Sequence, residues 1–114
     1  MNMRDPSTYR ADLQFAKIQE SRLDTVDLRD VYLRSTDFKS SHLNDADLRE
    51  AYCYMADFPI ARMCRTDFRR ANLTKANFRA AHLMEANFAG ADLREAVPAD
   101  LQPEHLRTPA GNIH

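Results

Sequence analysis

The chain has 114 residues, 29% of them charged and 44% apolar, with a formal net charge of −1 at neutral pH. That is the length of one domain, and it lacks both the basic surplus of a nucleic-acid binder and the acid surplus of a polyanion. Two glycines exclude a flexible linker chain, no apolar run approaches a membrane span, and Met1 to Pro6 contain no signal-peptide core.

Residues 1–10 read as a lead-in or N-terminal cap. Pro6, Ser7 and Thr8 are cap-like, and Tyr9 is placed to lie over the first layer of the domain body. A beat then begins. From Leu13 to Leu93 every fifth residue is apolar, seventeen positions without a break: Leu13, Ile18, Leu23, Leu28, Leu33, Phe38, Leu43, Leu48, Cys53, Phe58, Met63, Phe68, Leu73, Phe78, Leu83, Phe88 and Leu93. Two residues before each beat is a small or β-branched residue, such as Val26, Thr36, Ala46, Ala56, Thr66 or Ala76. One residue before it is often Asp or Asn, as at Asp27, Asp47, Asp67 and Asn87.

Neither regular element repeats at five. A helix repeats at 3.6 and a strand at 2, so a five-residue apolar period smears around either one. A chain that turns a corner once per repeat keeps the period on one inner face, and successive coils bury that face together. If four repeats close a coil, residues 20 apart stack at ~4.8 Å. Ile18, Phe38, Phe58 and Phe78 then form one inner column, and Leu28, Leu48, Phe68 and Phe88 another. Residues 16–95 make four coils, a body ~20 Å tall.

Residues 97–114 break the beat. Pro98, Pro103 and Pro109 cannot donate to a ladder. Pro103 to Arg107 suits a short helical turn. Val97, Leu101 and Leu106 are placed to cover the last coil, and Gly111 to His114 read as a disordered end.

The repeats Ala-Asp-Leu-Arg-Glu (46–50 and 91–95), Ala-Asn-Leu-Thr-Lys (71–75) and Ala-Asn-Phe-Arg-Ala (76–80) resemble those of the pentapeptide-repeat proteins. The resemblance covers residues 11–96. It implies an all-β fold, a right-handed quadrilateral β-helix of about four coils. The beat residue and the residue two before it then point inward, and the other three outward.

On that frame the candidate chemistry is sparse. His42 and His82 share a column with Arg22 and Arg62, two coils apart, ~10 Å, which is too far to share a zinc ion. Asp27, Asp47, Asp67 and Asn87 stack beside Arg29, Arg49 and Arg69. This reads as a self-neutralising surface ladder, with an anion groove as its functional alternative. Cys53 lies on the inward beat and Cys64 outside it, so the two are not placed for a disulfide. No nucleophile constellation, phosphate loop or paired buried carboxylate appears, so neither an enzyme nor a cofactor is expected.

Two surface features remain. Residues 11–60 carry ten acids and six bases, net −4, and residues 61–96 carry four acids and seven bases, net +3. Arg62, Arg65, Arg69, Arg70, Lys75 and Arg79 cluster in the second stretch. They either orient a charged partner or reflect chance segregation on a solvated surface. Outward positions are expected to be polar, yet Tyr52, Tyr54, Met55, Pro59 and Ile60 occupy them, with Tyr32 one coil from Tyr52. An exposed aromatic and Met cluster marks a contact surface for a protein partner or a second subunit, unless a terminal segment folds over it.

The expected function is therefore that of a non-catalytic protein-binding solenoid, soluble and cytoplasmic, a homodimer being one option, without membrane or direct nucleic-acid contact. Known members of the family that bind DNA gyrase or topoisomerase supply the alternative, a DNA mimic that binds such an enzyme, or another nucleic-acid enzyme, and blocks or protects it. Those members are longer and clearly acidic, and this chain is neither.

Overall fold

A computed structural model describes residues 12–98. The N-terminal cap, the helical turn from Pro103, the covering roles of Tyr9, Leu101 and Leu106 and the end from Gly111 all lie outside the described residues.

Each five-residue repeat builds one side of a coil, and every bridge is parallel and joins residues 20 apart. Side 1 stacks Asp12, Tyr32, Tyr52, Asn72 and Asp92. Side 2 stacks Lys17, Asp37, Asp57, Asn77 and Val97. Side 3 stacks Arg22, His42, Arg62 and His82, and side 4 stacks Asp27, Asp47, Asp67 and Asn87. The ladder thus runs one residue past the boundary expected at residue 96. Val97 donates its N–H to the Ala76 carbonyl at 3.0 Å and accepts from Phe78 at 2.8 Å.

Three hydrogen bonds per repeat tie a coil to its neighbours. At one repeat the Phe38 N–H donates to Asp57, the Ser40 N–H to Pro59, and the Asp37 N–H back to Ala16, all at 2.7–3.0 Å. A further bond closes the corner, such as Ser41 N–H to the Phe38 carbonyl at 3.0 Å. The residue before each closing donor has a positive φ, as in the third position of a type II turn. Sixteen non-glycine residues, from Phe15 to Glu95 at steps of five, hold this φ near +60°, and Gly90 holds it at +71°. One corner per repeat is what converts the five-residue beat into a square cross-section.

The interior is apolar and shut off from solvent. The beat residues from Leu28 to Leu73 are essentially inaccessible, and so are the small residues between them, such as Ala51, Ala56, Ala61 and Ala76. Phe38, Phe58 and Phe78 stack with ring centroids 5.1 Å apart, and Phe68 stacks on Phe88 at 4.9 Å. The two columns meet edge to face, Phe58 against Phe68 at 5.8 Å and Phe68 against Phe78 at 5.7 Å. Both arrangements are favoured by the ring quadrupole. Three fully buried hydroxyls in the small inward slot are satisfied by the coil below. Thr36, Ser41 and Thr66 donate to the carbonyls of Leu13, Ile18 and Leu43, each at 2.7 Å.

Candidate functional site

The outward apolar residues fall on side 1 and its trailing corner, and continue around the third coil to the far corner of side 2. Tyr32 and Tyr52 stack at 4.9 Å with their planes 25° apart, and remain 39% and 47% exposed. Met55 and Ile60 occupy positive-φ corners at 44% and 50% exposure. Tyr54 and Pro59 are half-buried. Lys75, one coil above, holds its ammonium 5.8 Å from the Tyr54 ring centroid.

Asp57 interrupts the ridge. At most repeats the Asp or Asn before the beat accepts a hydrogen bond from the backbone N–H two residues on. Arg49 N–H donates to Asp47, Thr74 N–H to Asn72 and Arg94 N–H to Asp92 in this way. The residue two after Asp57 is Pro59, which has no N–H to give. This side-chain-to-backbone bond also explains the Asp and Asn preference of the slot, which is a turn device of the Asx kind.

Two exposed apolar residues escaped the sequence reading. Phe15, 63% exposed, occupies the side 1 corner column that also contains Met55, and the Arg34 guanidinium sits 5.5 Å from its ring centroid. Met84, 57% exposed, lies on side 3 in the column of Cys64. Both break the rule that flagged Tyr52, an apolar residue in an outward slot, so the signal was present in the sequence. Phe15 extends the side 1 surface downward by two coils, and Met84 is remote from it.

The six basic residues do not form a patch. Arg62 lies on side 3, Arg65 at the corner after it, Arg69 on side 4, Arg70 at the next corner, Lys75 after side 1 and Arg79 on side 2. They make a belt around the solenoid, and acids answer four of them. Arg65 reaches Asp45 at 2.8 Å, Arg69 reaches Asp67 at 2.7 Å, Arg70 reaches Glu50 at 3.5 Å and Lys75 reaches Glu95 at 3.8 Å.

Side 4 is a zipper of arginine and aspartate. Arg29 grips Asp27 at 2.8 Å and reaches up to Asp47 at 3.8 Å. Arg49 grips Asp47 at 2.6 Å and reaches Asp67 at 3.7 Å. The Arg29 hydrogen bond holds the Asp27 carboxyl below its ordinary value. Burial pushes Asp67 up, but the Arg69 hydrogen bonds and charge, with Arg49 nearby, bring it below the ordinary value. On side 1, hydrogen bonds from Arg94 pull Asp92 down to about 2. The ladder's guanidinium groups are engaged by protein carboxylates, which leaves little for an outside anion.

His42 and His82 stand on either side of Arg62 in the side 3 ladder, as the register required. Among the described residues no group of three or more His, Cys, Asp or Glu is arranged to hold a metal ion. Both cysteines are free. Burial pushes the Cys53 thiol up, so it stays neutral and acts as a small apolar core residue.

With the geometry in place, comparison with known proteins gives a consistent answer. The family profile Pentapeptide repeats matches residues 9–45, 27–59 and 61–97, with eight copies. A pentapeptide repeat protein from the thylakoid lumen of Arabidopsis thaliana is similar at 27% identity and TM-score 0.60, over 80% of this chain and 67% of that one. A pentapeptide repeat protein from Nostoc is similar at 28% identity and TM-score 0.52, over 79% of this chain and 65% of that one. The chain therefore spans about two thirds of these relatives. No curated protein matches it in sequence. The described coils take their hand from these structures, a right-handed quadrilateral β-helix. Pentapeptide-repeat proteins are generally non-catalytic structural or interaction modules. The five-residue beat, the ladder at steps of 20 and the matched profile agree: this chain belongs to the pentapeptide-repeat family.

Proposed function

We infer that this protein is a non-catalytic protein-binding solenoid whose contact surface is side 1 and the third coil, built from Tyr32, Tyr52, Tyr54, Met55, Pro59 and Ile60. One observation carries the reading. Met55 and Ile60 are half-exposed apolar residues at corners with φ of 61°. A small polar residue or glycine suits such a corner better, so neither backbone geometry nor core packing accounts for them. Beside them the stacked Tyr32 and Tyr52 offer rigid area at low entropy cost. A cytoplasmic setting is part of this reading, in keeping with two unpaired cysteines.

The alternative, a DNA mimic directed at gyrase or topoisomerase, needs a continuous negative stripe. The longest acid column, Asp27 to Asp67, ends in Asn87 and is neutralised by Arg29, Arg49 and Arg69. The belt of bases adds to this, and protein binding without mimicry is the better-supported reading.

The test is the double variant Tyr52→Ser and Tyr54→Ser. Both side chains lie outside the core, so circular dichroism and the denaturation midpoint are expected to change little. Association with any protein captured by the wild type is expected to weaken by more than ~2 kcal/mol. A folded double variant that binds every partner as the wild type does would remove the surface from consideration.

A further inference from the structure

Side 3 carries a cluster that neither the core nor side 1 uses. Cys64 and Met84 each follow a beat residue, in successive coils, so both point outward in one column. The ladder around Cys64 fixes this register. The Met63 N–H donates to the His82 carbonyl and the Arg65 N–H to the Met84 carbonyl, each at 2.8 Å. Cys64 therefore lies directly under Met84, one strand spacing of ~4.8 Å away. His82, two residues before Met84, is on the same face of its strand. Cys64 is a free, half-buried thiol, and Met84 is 57% exposed. From the coil below, the Asn44 side-chain oxygen accepts the Cys64 N–H at 2.9 Å, so it is committed to the backbone and not to the thiol. A thioether so far into solvent adds nothing to the core, and packing does not account for it.

We propose that Cys64, Met84 and His82 bind a soft monovalent metal ion of the copper(I) class. The site goes beyond the protein-binding reading and shares no residue with it. Ligand chemistry selects the ion. Thiolate and thioether are soft donors that favour copper(I), and imidazole suits copper as well. Calcium and magnesium take shells of oxygen, which these three side chains do not supply. Structural zinc takes four ligands from Cys, His and carboxylates, and among the described residues no group of even three such side chains is arranged for it. An ion content with two or three soft ligands needs no more than this cluster. Spacing agrees with the choice. An ion midway between two sulfurs, at bonds of ~2.3 Å, holds them ~4.6 Å apart, close to the ~4.8 Å of the ladder. The flexible Met side chain takes up the remainder. Arg62 stands two residues before Cys64 on the same face. A thiolate with a monovalent ion is neutral, and a neutral pair sits better beside that cation than a divalent ion does. Binding involves no redox step: the thiol releases its proton to solvent and the thiolate gives an electron pair to the metal.

The experiment uses the full chain, reduced and anaerobic, with copper(I) supplied as its coloured bicinchoninate complex. The wild type is expected to withdraw one ion per chain from the chelator. Cys64→Ser and Met84→Leu each remove a ligand and are expected to weaken binding by about 100-fold and about 10-fold or more, at or beyond what loss of an outer-sphere partner costs. Circular dichroism checks that the variants fold. X-ray absorption at the copper edge of the wild-type complex reads the ligands without any variant, and is expected to show two sulfur neighbours and one nitrogen. Met84→Leu is expected to lose one sulfur from that spectrum, and His82→Ala the nitrogen. A wild type that takes no copper(I) from the chelator overturns the proposal. So does a folded Met84→Leu or His82→Ala protein with wild-type affinity and spectrum. One ion per two chains, bridged by both Cys64 thiolates, also overturns it. Displacement of copper(I) by an equal concentration of zinc(II) overturns the choice of ion. The Tyr52→Ser and Tyr54→Ser double variant is expected to bind copper(I) as the wild type does, so this site and the side 1 surface fail or stand separately.

Discussion

Ile60 holds a φ of 61° with a β-branched side chain, where the left-handed region costs roughly 1–2 kcal/mol because Cβ crowds the backbone. Half of its surface is exposed, so burial returns only part of that cost. Ile60→Asn is therefore expected to leave stability unchanged or raise it by up to ~1 kcal/mol, because Asn tolerates this region. Urea denaturation gives the comparison, and a loss of more than ~1 kcal/mol would show that Ile60 is packed by something on its outer side. Thr25 holds a similar φ of 63°, also with a β-branched side chain. These strained corners were not legible in the sequence. Phe15, Met55, Ile60 and Arg65 share the corner slot with Glu and Ser, so residue type alone does not reveal positive φ there. The outward direction of Tyr52 and Met55 was legible, because the beat fixes which three residues of every five face out. The partial cover over Tyr54 was not, since it depends on Lys75 reaching down one coil, and a flexible side chain's reach is not written in the spacing.

At the scale of the coil, the register of 20 follows from the beat because each side has one large inward slot and one small one. A slip of a single residue would put Asp57 where Phe58 is and bury a carboxylate without a partner. Phe58 shows what the slot contributes. It stacks between Phe38 and Phe78, meets Phe68 edge to face, and is wholly inaccessible. Phe58→Ala is expected to cost ~3–5 kcal/mol, since the rings above and below are held by their own ladders and cannot collapse into the cavity. Chemical denaturation measures this, and a loss below ~1 kcal/mol would contradict the packed column. The Asp and Asn of the slot before the beat were legible as a pattern but not as a mechanism. Their job became clear only with the bonds to the N–H two residues on, which close the turn from outside while the beat fills it from inside.

For the whole molecule, the decisive quantity is how charge is distributed over four sides. A protein that replaces DNA on a nucleic-acid enzyme must present carboxylates at length and without compensation, because the enzyme's cationic groove is matched to an unbroken row of phosphates. This solenoid does the opposite on its most acidic side. Asp27, Asp47 and Asp67 each accept an arginine from their own repeat, and Arg29 and Arg49 also reach the carboxylate one coil up. The other sides break up the acids, as at the corner after side 3, where Arg65 stands between Asp45 and Glu85 and reaches Asp45 at 2.8 Å. Composition foretold part of this, since a net charge of −1 cannot supply a polyanion. The dispersal of the basic residues into a belt could be seen only once the corners were assigned to sides. The expected outcome is that purified protein leaves DNA gyrase supercoiling unimpaired when present in equal amount to the enzyme, and still does so at low ionic strength, where any electrostatic attraction is strongest. An agarose-gel supercoiling assay run across a salt series makes the measurement. Strong inhibition at low salt that fades as salt rises would mean that the Arg–Asp zipper of side 4 opens on contact and frees its carboxylates, and mimicry would then displace the side 1 reading.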